Sequence, residues 1–221
     1  METTPFILSL SLALVTTMLL FVGGLPLAYV LAYKNFPGKN ILDLGLSLPL
    51  LIPPTVLGFY LLILFAPSGF FGHIAAYFGI RLAFSFTGII IGSCIASIPF
   101  MIQPLKAALL SVPKSHLEAS YTLGKSPLET FIRIALPASM PGILSALALT
   151  FAHAMGEFGV ILMLGGSIPG VTKVASIALY EYVEMQNYSA AHGYAAILVI
   201  ISCLVLFSMN HWKKTERTYL L

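Results

Sequence analysis

Long uncharged stretches alternate with short charged ones along this chain, and that alternation sets its architecture. No Asp, Glu, Lys or Arg occurs from Phe6 to Tyr33, from Leu82 to Leu105 or from Ile134 to Gly156. Each run is long enough for a bilayer core, which a helix crosses with about 20 apolar residues. Two further spans run from about Leu44 to Ala66 and from about His192 to Trp212. A backbone in lipid must satisfy its hydrogen bonds within its own segment, so all of these spans are expected to be helices. The pattern predicts an all-α polytopic membrane protein of about five transmembrane helices, one transmembrane domain over residues 1–221.

Composition agrees. Of 221 residues, 58% are hydrophobic and 9% charged, where a soluble domain carries about 25% charge. The first span is expected to be retained rather than cleaved as a signal peptide. Glu2 precedes it, no Lys or Arg occurs before Lys34, and the run outlasts a signal peptide's roughly 7–15-residue apolar core. Cys94 and Cys203 fall inside expected spans, where cysteine serves as a small packing residue.

Basic residues orient the spans. With the amino terminus outside, Lys34, Lys39, Lys106, Lys114, Lys125, Arg133, Lys213, Lys214 and Arg217 lie inside, and only Arg81 and Lys173 outside. Positive charge favours the cytoplasmic side, so the amino terminus is expected outside and the carboxy terminus in the cytoplasm. The formal charge of +3 then reflects topology rather than nucleic-acid binding.

Between the third and fourth spans lies a polar segment, residues 111–137, that reads as two short helices hinged at a glycine. Ser115 with Glu118 has the spacing of a capping box, and so do Ser126 and Glu129, with Pro127 at the first helical position. Gly124 falls where a helix ends in a left-handed residue, a conformation only glycine adopts cheaply. Pro137 is expected to interrupt the second helix at the membrane. Within this segment Glu118-Ala119-Ser120, three residues, Gly124, nine residues and then Ile134-Ala135-Leu136-Pro137 resemble the cytoplasmic coupling loop of permease subunits of binding-protein-dependent ABC importers, E-A-A-x3-G-x9-I-x-L-P. Ser120 alone departs from it, replacing the second alanine with another small residue.

Other segments narrow the resemblance. Phe36-Pro37-Gly38-Lys39, the stretch Leu48 to Gly58, Gly156-Glu157-Phe158-Gly159 and Ile168-Pro169-Gly170-Val171-Thr172 are similar to the sulfate/molybdate branch of these importers, from about Phe36 to Phe207. The short chain, without an added amino-terminal helix, points to molybdate permeases. The resemblance implies a homodimeric pore in a bacterial or archaeal cytoplasmic membrane. It also implies two copies of a cytosolic ATPase and an extracytoplasmic oxyanion-binding protein. Glu118, Ala119, Ser120, Gly124, Ile134, Leu136 and Pro137 would couple the pore to the ATPase. The expected cargo is molybdate, with tungstate possible. A sulfate or thiosulfate permease is the nearest alternative, and a passive anion channel or membrane scaffold is the alternative from another class.

No catalytic or metal-binding set is evident. Gly124-Lys125-Ser126 resembles the end of a phosphate-binding loop, but position 119 is alanine where G-x4-G-K-[ST] requires glycine. ATP is therefore expected on the partner subunit, with no cofactor here. His153 and Glu157, four residues apart, share one helical face. They are expected to bond each other or a neighbouring helix, or to lie along a pathway. Pro49, Pro53 and Pro54 break the second span, which predicts a kinked, pore-lining helix near mid-membrane. With no Lys or Arg in any span, an oxyanion would meet hydroxyls, backbone N–H groups and helix amino termini. The path residues expected are Ser47, Pro53, Pro54, Thr55, Thr150, His153, Gly156 and Glu157, with Ser93 and Ser97 as further hydroxyls.

Overall fold

Residues 2–218 are described by the computed structural model, with side chains for residues 2–205 and 207. The last span's expected end at Trp212 and the side chains of Lys213, Lys214 and Arg217 lie outside the described side chains. Among the described residues every regular element is helical, as the uncharged runs predict.

Three helices form the centre. α1 (Thr4–Tyr33) and α5 (Phe86–Leu110) run parallel, with Leu12 packed near Ile89 at one end and Ala28 near Met101 and Leu105 further along. α9 (Met140–Gly156) runs antiparallel to α5, because Phe100 stacks on His153 while Ala108 faces Gly142. The approach at Gly142 is close: a Cβ there would sit 2.3 Å from Ala108 Cβ. Helices in lipid gain no hydrophobic advantage from meeting, so a small residue that lets backbones approach is a main source of their attraction. Ala28, Met101, Leu105, Leu109, Ile143 and Ala146 fill the junction and are fully buried or nearly so.

Two expected spans are not continuous helices. Leu44–Ala66 was expected as one kinked helix; instead α2 (Lys39–Ser47) passes into a 3-10 turn (Leu48–Leu50) and then α3 (Pro54–Phe65), with the two arms bent by 106°. Pro53 stands at the cap of α3 and Pro54 at its first position, so neither can donate to a ladder joining the arms. Ile134–Gly156 is likewise divided: α8 (Leu136–Ala138) meets α9 at Ser139 with a 71° bend between the arms, Pro137 and Pro141 each opening a new helix. The break therefore comes after Pro137, which continues the chain as a first-turn residue. Three helices are uninterrupted and apolar enough to span a membrane, and five spans result if each bent pair counts as one.

The remaining elements are short. α4 (Phe70–Tyr77) follows α3, and α10 (Gly159–Gly165) packs on α3 and α5. α11 (Ala175–Glu184) buries Ala175, Ile177 and Ala178 against α1 and α12 (Tyr188–Thr218). Its first turn is tied to α1 by the Ala175 N–H, which donates to Ser9 Oγ at 2.8 Å. The starts of α1 and α12 also meet, with Phe6 stacked on Tyr194 at 4.7 Å and Tyr194 Oη donating to Glu2 O at 3.0 Å. α1, α5 and α12 therefore begin on one side, and the loop joining α5 to α9 lies on the other.

Ahead of α11, Lys173 forms an ion pair with Glu181, whose carboxylate also accepts from Ser167 Oγ. The bond to Glu181 raises the Lys173 ammonium above its ordinary value of 10.5 in spite of burial. Burial pushes the Glu181 carboxyl up, but Lys173 and Ser167 outweigh it and hold the group below 4.5. The pair therefore stabilises the fold between those ordinary values. Its contribution is lost as pH rises through the raised lysine pKa, or falls through the depressed carboxylate pKa. The detergent-solubilised protein should show a melting-temperature plateau from mild acid to mild alkali, with a downturn on each side. Lys173→Met should flatten the alkaline downturn, and an unchanged profile in that variant would count against the pair.

Candidate coupling corner and central pocket

The polar segment after α5 folds into the two arms of a corner. α6 (Lys114–Thr122) is followed by α7 (Pro127–Thr130), which continues through a wider π turn at Phe131–Ala135 into α8. The first helix does not begin at Ser115 as expected. It begins one residue earlier, with Pro113 at the cap position and no side-chain cap. Pro113 holds φ −58° and ψ 132°, an extended conformation that lets the helix start at once, so Ser115 falls inside the first turn and caps nothing.

The corner itself closes as the spacing predicts. Gly124 has φ +76°. Its N–H donates to Tyr121 O at 2.9 Å, and the Lys125 N–H donates to Ser120 O at 3.2 Å, the paired bonds of a Schellman ending. Ser126 Oγ then accepts from the Glu129 N–H at 3.2 Å, and Pro127 opens α7. Glu129 also pairs with Lys125 at 2.9 Å and Arg133 at 3.5 Å. The π turn has a covalent cause: Pro137 has no N–H for the carbonyl four residues back, and the Leu136 N–H reaches Phe131 O, five back.

One bond across the corner has no signal in sequence. Ser120 Oγ and Thr130 Oγ1 share a hydrogen bond of 2.9 Å, with both residues buried. An alanine at 120, as in the importer pattern, cannot make it. Glu118, Ala119 and Pro137 are exposed, whereas Ile134 and Leu136 are half-buried toward the bundle. Leu123 (80% exposed), Leu128 (66%) and Ile132 (53%) give the corner a bare apolar face. Phe131 packs edge-on against Tyr29 at 4.7 Å and against the cluster that holds Leu105 and Leu109, while Tyr33 Oη ties the end of α1 to Leu109 O of α5 at 2.7 Å.

The second group lies where helices are broken. A pocket of about 120 Å³ is lined by Pro49, Leu50, Ile52, Pro54 and Leu57 from the bent span, by Ala96 and Phe100 of α5, and by His153, Glu157 and Val160. Of the expected path residues it brings together Pro54, His153 and Glu157. Pro53 and Thr55 are exposed beside it, and Gly156 is exposed at the end of α9. Ser47 donates to Asp43 O and Thr150 to Ala146 O, each within its own helix. Ser93 and Ser97 are fully buried in α5, and no partner reaches their hydroxyls among the described residues. The lining is therefore apolar except for His153 and Glu157.

Glu157 is a junction. Its Oε1 accepts from the Val160 N–H at 3.1 Å, its carbonyl accepts from Ser176 Oγ at 2.8 Å, and its Oε2 lies 3.2 Å from His153 Nε2. That last approach lacks hydrogen-bond alignment, and His153 stacks on Phe100 at 3.9 Å between ring centres. Three segments, α9, α10 and α11, thus meet at one residue, through its carboxylate and its backbone carbonyl.

The bent spans and the corner define a polytopic helical membrane protein of the importer-permease type. Residues 24–214 match the family described as the binding-protein-dependent transport system inner membrane component, and the chain belongs to that family of transport components. It is 41% identical over 203 residues to the molybdenum transport system permease protein ModB of Azotobacter vinelandii, covering 91% of this chain and 90% of that one. It is 33% identical over 189 residues to the sulfate transport system permease protein CysT of Salmonella typhimurium, covering 86% and 68%. The fold is that of a permease in the inward-facing methionine ABC transporter MetNI, with TM-score 0.71, 20% identity and coverage of 94% and 92%. A bacterial alginate ABC transporter in complex with its periplasmic protein gives TM-score 0.76 at 18% identity, covering 94% and 76%.

Two substitutions test these sites. A Cβ added at Gly124 would meet no atom within 4 Å, so the main cost of Gly124→Val is the left-handed backbone, about 1–3 kcal/mol. It should open the corner to protease while membrane insertion stays intact; unchanged cleavage would mean the corner tolerates a side chain there. Glu157→Ala leaves the Val160 N–H without its acceptor, a loss of about 1–3 kcal/mol. Glu157→Gln keeps an acceptor there. Thermal unfolding in detergent should rank wild type above Glu157→Gln and Glu157→Ala lowest, and equal melting points would make the junction incidental.

Proposed function

We propose that this chain is the membrane-spanning subunit of an ATP-driven importer that brings an oxyanion, molybdate before tungstate, into the cytoplasm. The observation that carries the choice of cargo is the 41% identity, along nine-tenths of both chains, to a molybdenum permease. Two copies would enclose the pore, each docked on one copy of a cytosolic ATPase, with an extracytoplasmic binding protein delivering the anion. ATP is bound by the partner, and this chain needs no cofactor of its own. The amino terminus faces outside and the carboxy terminus inside, which puts the corner in the cytoplasm.

The corner suits docking for a physical reason. Leu123, Leu128 and Ile132 are apolar and bare, yet in this topology they stand in water rather than lipid, and an exposed apolar patch of this kind marks a protein contact. Glu118 and Ala119 lie on the first arm, which Leu123 ends. The double closure at Gly124 and Ser126, with the Ser120–Thr130 bond, makes the corner stiff enough to move as one body. ATP-driven closure of the partner would displace the corner, and α5 and α9 would carry the displacement into the bent spans.

No Lys or Arg lines the pocket at the bends. A dianion is repelled by an ionised Glu157, so that residue serves the pathway by holding the α9–α10 junction rather than by binding cargo. High-affinity selection belongs to the binding protein, and the pore needs only weak, neutral donors. The test is elemental mass spectrometry of cells with and without the gene, at submicromolar molybdate and excess sulfate. Loss of cellular molybdenum alone on deletion is expected. Loss of sulfur would transfer the cargo to sulfate or thiosulfate, which the sulfate permeases at 33% identity make the second reading.

A further inference from the structure

The first arm of the bent span is attached to the bundle in an unusual way. α2 and the 3-10 turn after it bury no residue at all, although they lead directly into Pro49, Leu50, Ile52 and Pro54 on the wall of the central pocket. What holds the arm is polar. Lys106 Nζ of α5 pairs with Asp43 Oδ2 of α2. Gln103 Nε2, one turn earlier on α5, donates to Asp43 Oδ1 at 3.1 Å and to Ser47 Oγ at 2.7 Å. Ser47 Oγ in turn donates to Asp43 O at 3.0 Å. Asp43 and Ser47 stand on one face of α2, and Gln103 and Lys106 on one face of α5, so two pairs of side chains one turn apart interlock.

The position of this cluster gives it a task. Lys106 lies four residues before the end of α5, and only Ser111, Val112 and Pro113 separate that end from α6 of the corner. A displacement of the corner reaches α5 first. With no buried apolar residue on α2, the polar cluster is the main link by which α2 and the proline bend follow. Such a link is strong only while both charges are present, because removing one leaves the other half-buried without its partner.

We propose that Asp43 and Lys106, aided by Gln103 and Ser47, form a clamp that makes the bent span travel with α5, and that both are positioning residues for transport. The clamp rests on the importer reading for its task but not for its existence. It differs from a pair of charges that merely neutralise each other near the membrane surface, because it predicts that α2 and α5 keep their spacing while the corner moves.

The test uses the permease assembled with its ATPase and its binding protein in liposomes, with Cys94 and Cys203 replaced by Ser. Spin labels are placed at the exposed Leu44 of α2 and Leu110 of α5. In the otherwise wild-type complex, with one doubly labelled copy diluted among unlabelled ones, pulsed electron resonance should give one narrow distance, the same with and without ATP. In Lys106→Met and Asp43→Asn the distance should broaden when ATP is added, and ATP-linked molybdate uptake should fall by about tenfold, a normal magnitude for lost coupling. The exchanged pair Asp43→Lys with Lys106→Asp should restore the narrow distance and most of the uptake, which a defect in folding alone would not allow. An unbroadened distance in Lys106→Met, or an exchanged pair that assembles but stays broad, would overturn the clamp. If the wild-type complex shows the distances as expected but takes up no molybdate, the cargo is wrong and the clamp stands.

Discussion

The central pocket of this molecule sits where the helical hydrogen-bond ladder is interrupted. A chain in lipid pays heavily for an unsatisfied N–H or carbonyl, so interruptions survive only where protein or water takes up the freed groups. Here they occur at residues 48–54, at Ser139 and at 156–159, and the first and last of these border the same pocket. Prolines account for the first two. At the third, Glu157 replaces the missing ladder bonds, with a carboxylate oxygen on Val160 N and its carbonyl under Ser176 Oγ.

The corner outside the bundle follows a different rule. There the chain is short of tertiary contacts and is shaped by local chemistry: a positive φ at Gly124, a serine cap at Ser126, and one buried bond between Ser120 and Thr130. The same corner sits on the bundle through Phe131, against Tyr29 and the cluster around Leu105 and Leu109, where Tyr33 ties α1 to α5. A stiff lever on a packed fulcrum can transmit force, and the polar clamp between α5 and α2 extends it toward the pocket wall.

What could be read from sequence divides along the same line. Uncharged length marks helices because the bilayer imposes it, and Gly124 and Ser126 are legible because their bonds lie within a few residues. Ser115 misled because Pro113 begins the helix one residue early. The Ser120–Thr130 bond, and the ties from Asp43 to Gln103 and Lys106, join residues distant along the chain and carry no periodic signal. The 106° bend is legible only as a kink, since prolines say that a ladder breaks but not by what angle its arms diverge. The hydroxyls expected along a path illustrate a general limit: Thr150 and Ser47 bond their own helices, and which face a helix turns to a cavity depends on its neighbours.

The central claim is that the corner at Gly124 is the surface on which an ATPase docks. The most direct measurement is site-specific photocrosslinking from Leu123, the most exposed apolar residue of the corner, in membranes that contain the whole transport complex. A crosslink to the ATPase subunit that changes in yield when ATP is added is the predicted result. A photoprobe at Leu123 that attaches only to lipid, or is quenched by reagents confined to the outer side, would contradict both the docking and the topology.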